Sequence, residues 1–167
     1  RVLGDMGTYA RATRNEPLER WALERRIELD PRAIAAWSRL VELSDDDAVL
    51  KRLLETLPDT PDAHVLYANS IAKRGRGEEA FTHLRDTAGR ISDPVPLQHA
   101  LASLLLDADR IDEARAIEQK LVAEQPTRPE TYDITGLLAM HERRFADAAA
   151  ATRKLVERQE TTRAQLR

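Results

Sequence analysis

An alanine recurs at a fixed distance in this chain. Ala80 in RGEEAFTHL, Ala114 in RIDEARAIEQKLV and Ala148 in RFADAAAATRKLV stand 34 residues apart, and a constant interval of that length marks stacked repeats rather than one wrapped core. Prolines supply a second ruler, because Pro31, Pro58 and Pro126 each precede a ring side chain, Trp37, His64 and Tyr132, by six residues. The stretches between read as helix pairs. In HVLYANSIAKRGRGEEAFTHLRD, apolar Val65, Leu66, Ala68, Ile71 and Ala72 keep helical spacing, GRG interrupts them, and Glu78 starts a second helix. The segments QHALASLLLDADRIDEARAIEQKLV, broken at ADR, and YDITGLLAMHERRFADAAAATRKLV repeat that arrangement.

Composition agrees with helices and narrows the function. The 167 residues are 42% hydrophobic and 33% charged, as in a folded protein, and only 4% aromatic, with Leu, Ala, Glu, Arg and Gln in excess. A net charge of -3, from 26 basic and 29 acidic side chains mixed along the chain, creates no field to attract nucleic acid or an anionic membrane. The 22 Arg against 4 Lys read as coding bias rather than phosphate recognition. Without cysteine there is no disulfide, thiol or zinc-cysteine chemistry, and both cytosol and periplasm remain open. No apolar run reaches the ~18 residues of a membrane span, so no direct membrane insertion is expected of this fragment. With Arg1 rather than Met in first place, the chain is expected to be a piece of a longer one.

These features resemble the tetratricopeptide repeat, a 34-residue helix-turn-helix unit with bulky residues near positions 4 and 7, a small one at 8, a large one at 11, Ala at 20 and Pro at 32. With Ala80, Ala114 and Ala148 at position 20, position 8 is Ala68, Ala102 and Gly136, and position 32 is Ser92, Pro126 and Glu160. Small residues are needed where the two helices of a unit cross, so all six are expected to be buried. Counting back from Pro31 puts Leu3, Met6, Gly7 and Ala10 at positions 4, 7, 8 and 11 of the first unit. The resemblance implies an all-α, right-handed superhelical solenoid of antiparallel helix pairs, in one array. Its repeats are 1–33, a shortened 34–60, 61–94, 95–128 and 129–162, followed by a stub at 163–167.

The second repeat departs from the pattern because Pro31 and Pro58 are 27 residues apart, seven short of the interval. Two helical turns are missing around LSDDDAVLKRLLETLP. The expected layout is a first helix from Ala33 to Leu43, an acidic turn at Asp45 to Asp47 that caps the next helix, and a second helix ending near Leu57.

No catalytic signature is present: no phosphate-binding glycine loop, HExxH or GxSxG, and GRG is accounted for as a turn. No catalytic residue, cofactor or metal ligand is assigned. His64 falls at position 4, where a packing ring belongs, and His83 on a solvated face of a second helix. His99 and Asp133 share position 5 and His141 is at position 13, but successive repeats are separated by a helix-packing distance of ~8–10 Å, which opposes a metal site.

What the resemblance does imply is a partner-binding groove on the concave side, lined by first helices. Its candidate residues here are Asn69 and Lys73, then His99, Ser103 and Asp107, then Glu130, Asp133, Leu137 and His141. Asn69, Ser103 and Leu137 all occupy position 9, and the acids favour a basic or neutral protein or peptide segment. Family members that grip a C-terminal carboxylate use Lys and Asn at positions 5 and 9, Asn at 6 of the next unit, and Lys and Arg at 2 and 6 of the third. Here Val65, Asn69, Ala100, Glu130 and Ile134 stand there, so only Asn69 matches and that mode is not expected.

The narrower alternative is a periplasmic scaffold in bacterial exopolysaccharide export, which such degenerate, cysteine-free, Arg-rich arrays resemble. It carries a slight preference for the periplasm over the cytoplasm. Open repeat faces at the ends, around Met6, Trp21 and Leu166, are expected to give weak self-association, although Trp21 fits the register poorly and suits an outward position.

Overall fold

The structure, a computed structural model, describes residues 8–44 and 47–165, and all regular structure among them is helical. Leu3, Met6, Gly7, Asp45 and Leu166, to which the register gives roles, lie outside the described residues. Residues 8–12 are helical and are termed α1. Then follow α2 (Glu16–Leu29), α3 (Ile34–Glu42), α4 (Ala48–Thr56), α5 (Pro61–Lys73), α6 (Gly77–Ala88), α7 (Val95–Asp107), α8 (Ile111–Glu124), α9 (Pro129–His141) and α10 (Phe145–Gln165). The chain divides into two compact bodies between Ser70 and Ile71.

Each fully registered turn between paired helices is built the same way. Among the described residues, Arg14, Gly75, Asp109 and Arg143 are those with positive φ, at 54, 81, 58 and 58°, and all four fall at position 15 of the 34-residue register. Around each, two backbone bonds close the preceding helix. The left-handed residue donates to the carbonyl three back, and its successor to the carbonyl five back, as in Asp109 to Leu106 (3.0 Å) and Arg110 to Leu105 (2.8 Å). This is the Schellman arrangement, which satisfies carbonyls that a helix end leaves without partners. The next residue is also periodic: Arg76, Arg110 and Arg144 bond Glu79, Glu113 and Asp147, three residues on, at 2.8, 2.6 and 2.7 Å. Those acids lie in the first turn of the second helix, where its dipole favours negative charge. Part of the arginine excess is therefore structural.

In the first body, α3 and α4 have nine residues each against 14 in α2, so the shortening expected of the second repeat falls on its helices. The observed limits Ile34–Glu42 and Ala48–Thr56 lie within a residue of those expected at three ends. Asp47 stands at the N-cap of α4 but makes no side-chain cap bond there. Trp37, Leu40, Leu53, Leu57, Ile27 and Ala63 form the core, with Arg52 stacked 5.0 Å over the Trp37 ring. The proline-to-ring spacing has a physical cause. The Trp37 indole donates to the Pro31 carbonyl at 2.8 Å and His64 Nε2 to the Pro58 carbonyl at 2.7 Å, each tying a first helix to the turn before it. Because a carbonyl only accepts, the proton of His64 is on Nε2.

Glu19 is the first repeat's exception. It occupies position 20, where the other full repeats carry Ala, and it is buried. Arg39 meets both its oxygens at 2.7 and 3.1 Å and Arg11 adds a third bond at 3.1 Å. The Arg39 guanidinium, opposed by burial and helped by Arg11, holds the Glu19 carboxyl below the ordinary carboxylate value.

In the second body α7 is the central helix, packing against α6, α8 and α9, while α9 packs on both α7 and α8 and pairs with α10. Seven of its 13 residues are buried, among them Leu97, Leu101, Ala102 and Leu105. Ala80, Ala102, Ala114, Gly136 and Ala148 are buried here, as Ala68 is in the first body. At Gly136 a Cβ would meet Ala151 Cβ at 3.6 Å and the Ala148 carbonyl at 3.8 Å, so the crossing admits a methyl and little more. The ring-to-turn tie shifts by one residue: Thr131 Oγ1, not Tyr132, reaches back six residues to the Gln125 carbonyl at 2.7 Å. Glu160, at the proline position, does not end its helix, and α10 runs on to Gln165.

Candidate functional site

Two first helices lie side by side in the second body, and the predicted groove residues on them are brought together in part. His99 on α7 and Asp133 on α9, 34 residues apart in sequence, are joined by a 2.7 Å bond from Nε2 to Oδ2. Helix axes a packing distance apart are bridged because both side chains lean into the gap, which the spacing of equivalent backbones did not anticipate. Ser103 is half-buried one turn along α7, and its hydroxyl donates to the His99 carbonyl at 3.0 Å. It therefore offers a partner lone pairs more readily than its proton. Asp107 and His141 are exposed at the last residues of α7 and α9.

The acidic character expected of this face is partly neutralised. Glu130 pairs with Arg128 at 3.2 Å, and Arg128 also holds Asp93 at 2.9 Å. Below the end of α9, Glu142 is gripped by Arg115 of α8 and by Arg144, and these guanidiniums, Arg115 foremost, hold its carboxyl low. Leu137 and Met140 are exposed apolar residues on α9, at 39% and 53%. Asn69, half-buried, and Lys73, exposed, are on α5. His83, expected to be solvated, is half-buried. Among the described residues no group of three or more His, Asp or Glu side chains is arranged to hold a metal ion. No described helix is long and apolar enough to cross a membrane.

A feature not singled out from the sequence is a cleft of about 640 Å³ between α9 and α10. Its walls include Tyr132, Leu137 and Met140 from α9 and Phe145, Leu155 and Val156 from α10. Phe145 and Val156 are exposed, as is Trp21 in the first body, which does face outward. The signal for the cleft was present: subtracting 34 from its wall residues gives positions on α7 and α8, the helices that carry α9.

No protein-family model and no curated protein sequence matches the chain. Solved structures do. PilW, described as a widely conserved type IV pilus biogenesis factor, aligns with a TM-score of 0.58 at 16% identity over 95% of this chain and 77% of that one. MamA aligns with a TM-score of 0.53 at 14% identity over 95% and 97%. Human IFIT1, solved as a dimer with m7Gppp-AAAA, aligns at 0.52 and 15% over 87% and 38%. At such identities the likeness speaks for the fold, and these neighbours are helical-repeat proteins of the tetratricopeptide type. The chain has the all-α, tetratricopeptide-like fold that its 34-residue alanine interval implied.

Proposed function

We propose that the chain is a non-catalytic scaffold that holds a protein partner on the face formed by α7 and α9. The observation that carries this reading is the 2.7 Å bond between His99 Nε2 and Asp133 Oδ2, which ties the two first helices α7 and α9 together. It leaves Ser103, Asp107, Leu137 and His141 along one face. A surface mixing exposed apolar and polar groups on a rigid helical support suits an extended segment or a helix of a partner. Asp107 is exposed, while Glu130 and Asp133 already have partners, so the preference is for a basic or neutral segment carried mainly by Asp107. Lys73 on α5 is a further contact candidate in the second body, and Asn69 is a candidate of the first body taken by itself.

The experiment is capture of partners from the native host by the wild-type chain and by a Ser103→Arg, Asp107→Lys variant of unchanged helicity. Loss of the captured protein in the variant supports the face. Undiminished capture removes it. The narrower reading, a periplasmic scaffold linking exopolysaccharide synthesis enzymes to an outer-membrane pore, is supported by the cysteine-free, Arg-rich composition of a degenerate array. Its test is whether the captured proteins are the enzymes and pore of such a system and whether the native protein fractionates with the periplasm.

A further inference from the structure

The fourth repeat lacks the ring that its register calls for. Position 4 holds Trp37, His64 and Tyr132 in the second, third and fifth repeats but Gln98 in the fourth, where Ser92 also replaces the proline six residues earlier. A cleft of about 420 Å³ opens at Gln98, between α6 and α8, a volume in the range of natural ligand sites. Leu101, Leu105 and Ile117 give it an apolar floor, and Arg85 of α6 and Lys120 of α8 stand on its two walls. It is not the face that a following repeat covers, because α9 already packs on α7 and α8 and contributes nothing to the lining.

The second repeat shows what is missing. There Trp37 is buried in one cluster with Ile27 of the preceding helix, Arg52 stacks 5.0 Å over its ring, and Glu24 of α2 bonds Arg52 at 2.7 Å. Counted back from position 32, Arg52 corresponds to Lys120, Glu24 to Arg85 and Ile27 to Ala88. The fourth repeat therefore keeps the cation, loses the ring, shortens the apolar contact and turns the acid into a second cation. Arg85 and Arg110 share one acid, Glu113, at 3.7 and 2.6 Å. Lys120 is exposed and meets no acid among the described residues, and the half-buried side-chain amide of Gln98 has no hydrogen-bond partner among them.

We propose that this cleft is a docking site for an aromatic side chain flanked by acidic residues in a segment of a partner protein. The ring lies on Leu101 beside Lys120 as Trp37 lies beside Arg52, since a ring face attracts a cation. A carboxylate between Lys120 and Arg85 supplies the charge that Glu24 supplies in the second repeat. On α8 the lining runs from Glu113 to Lys120, about 10 Å along the helix, which is room for one ring and its neighbours rather than a whole helix. A second copy of the chain does not match, because its exposed rings Tyr9, Trp21 and Phe145 have Arg11, Arg20 and Arg144 within two residues, and these would face the two cations.

The probe is a fluorescein-labelled six-residue peptide with one tryptophan between glutamates, titrated against the chain by fluorescence anisotropy. Replacing its tryptophan with alanine should weaken binding at least ~10-fold, as for a buried aromatic anchor, and replacing its glutamates with lysines at least ~5-fold. Lys120→Glu, at an exposed position, should weaken the glutamate peptide at least ~5-fold and leave the melting midpoint unchanged. Gln98→Trp gives the cleft a ring of its own and should abolish peptide binding without lowering the midpoint; a lowered midpoint would mean that the cleft has no room for a ring and would contradict the proposal. The Ser103→Arg, Asp107→Lys variant should bind the peptide undiminished, which separates this cleft from the α7–α9 face. Absence of binding, or binding indifferent to the peptide's tryptophan or to Gln98→Trp, overturns the proposal. So does displacement of the peptide by indole-3-acetate at lower concentration than by unlabelled peptide, which assigns the cleft to a free aromatic acid. Failure of the native protein purified from its host to bind what the chain binds overturns it as well, for then the protein fills the cleft itself.

Discussion

Only one of the four left-handed turn residues is glycine. An L-residue there costs about 1–2 kcal/mol, against which glycine loses about 0.5–1 kcal/mol of chain entropy. Replacing Arg143 (φ 58°) with Gly should therefore raise stability by about 0.5 kcal/mol, with a smaller gain at Asp109, since Asp tolerates this conformation better. Urea melting checks this, and a loss at Arg143 would mean that its side chain contributes more than its backbone costs. Glycine is wasteful at position 136, inside α9 with room for a methyl at 3.6 Å. Gly136→Ala should stabilise by about 0.5–1 kcal/mol. Glu19 shows the opposite case of a buried carboxylate at an alanine position. Glu19→Gln keeps its size but takes from Arg39, whose side chain is 28% exposed, its bidentate anion and leaves it only Glu42 at 3.0 Å, at a cost of about 2 kcal/mol, less than for a fully buried pair.

Among elements, the proline-to-ring spacing was legible before its reason was. Six residues separate a turn carbonyl from a donor one turn into the following first helix, and Trp37 and His64 use it directly. Tyr132 matches the spacing, yet the donor is Thr131, because a hydroxyl on a short side chain reaches Gln125 from the adjacent position. Trp37→Phe retains the packed ring and removes the donor, so it should cost about 1 kcal/mol, chiefly from the Pro31 bond. A cost near zero in chemical denaturation would show that the tie is incidental. The extent of α10 was not legible, since the register marks where a helix should stop and not whether the residue there can stop it. Glu160, unlike Pro126, keeps its N–H and lets the helix continue. The α9–α10 cleft was missed for a related reason: attention to one first-helix face ignored the face that stacking covers in every repeat but the last described one.

For the whole molecule, the interval of 34 residues carried most of the fold, while the side-chain bonds of the candidate face, His99 to Asp133 above all, required three dimensions. Charge pairing sets the response to acid. Glu19, Glu113 and Glu142 are held below the ordinary value of 4.5 by Arg39, Arg110 and Arg115 respectively. The folded state therefore binds fewer protons than the unfolded one through this range. Their stabilisation is complete above pH 4.5 and is lost as pH falls through the depressed folded values. Urea midpoints should be steady between about pH 7 and pH 5 and decline towards about pH 3; a decline beginning near neutrality would assign the transition to other groups. The α7–α9 face depends on the repeat register, and one pair of variants on α8 tests that register most directly. Ala114 is buried at position 20, and Ala116, two residues on, is exposed. Measured by urea denaturation, Ala114→Leu should cost about 1–3 kcal/mol by overpacking the helix crossing, with Ala116→Leu within about 0.5 kcal/mol of wild type. Equal effects at the two positions, or a larger loss at Ala116, would contradict the register and everything built on it.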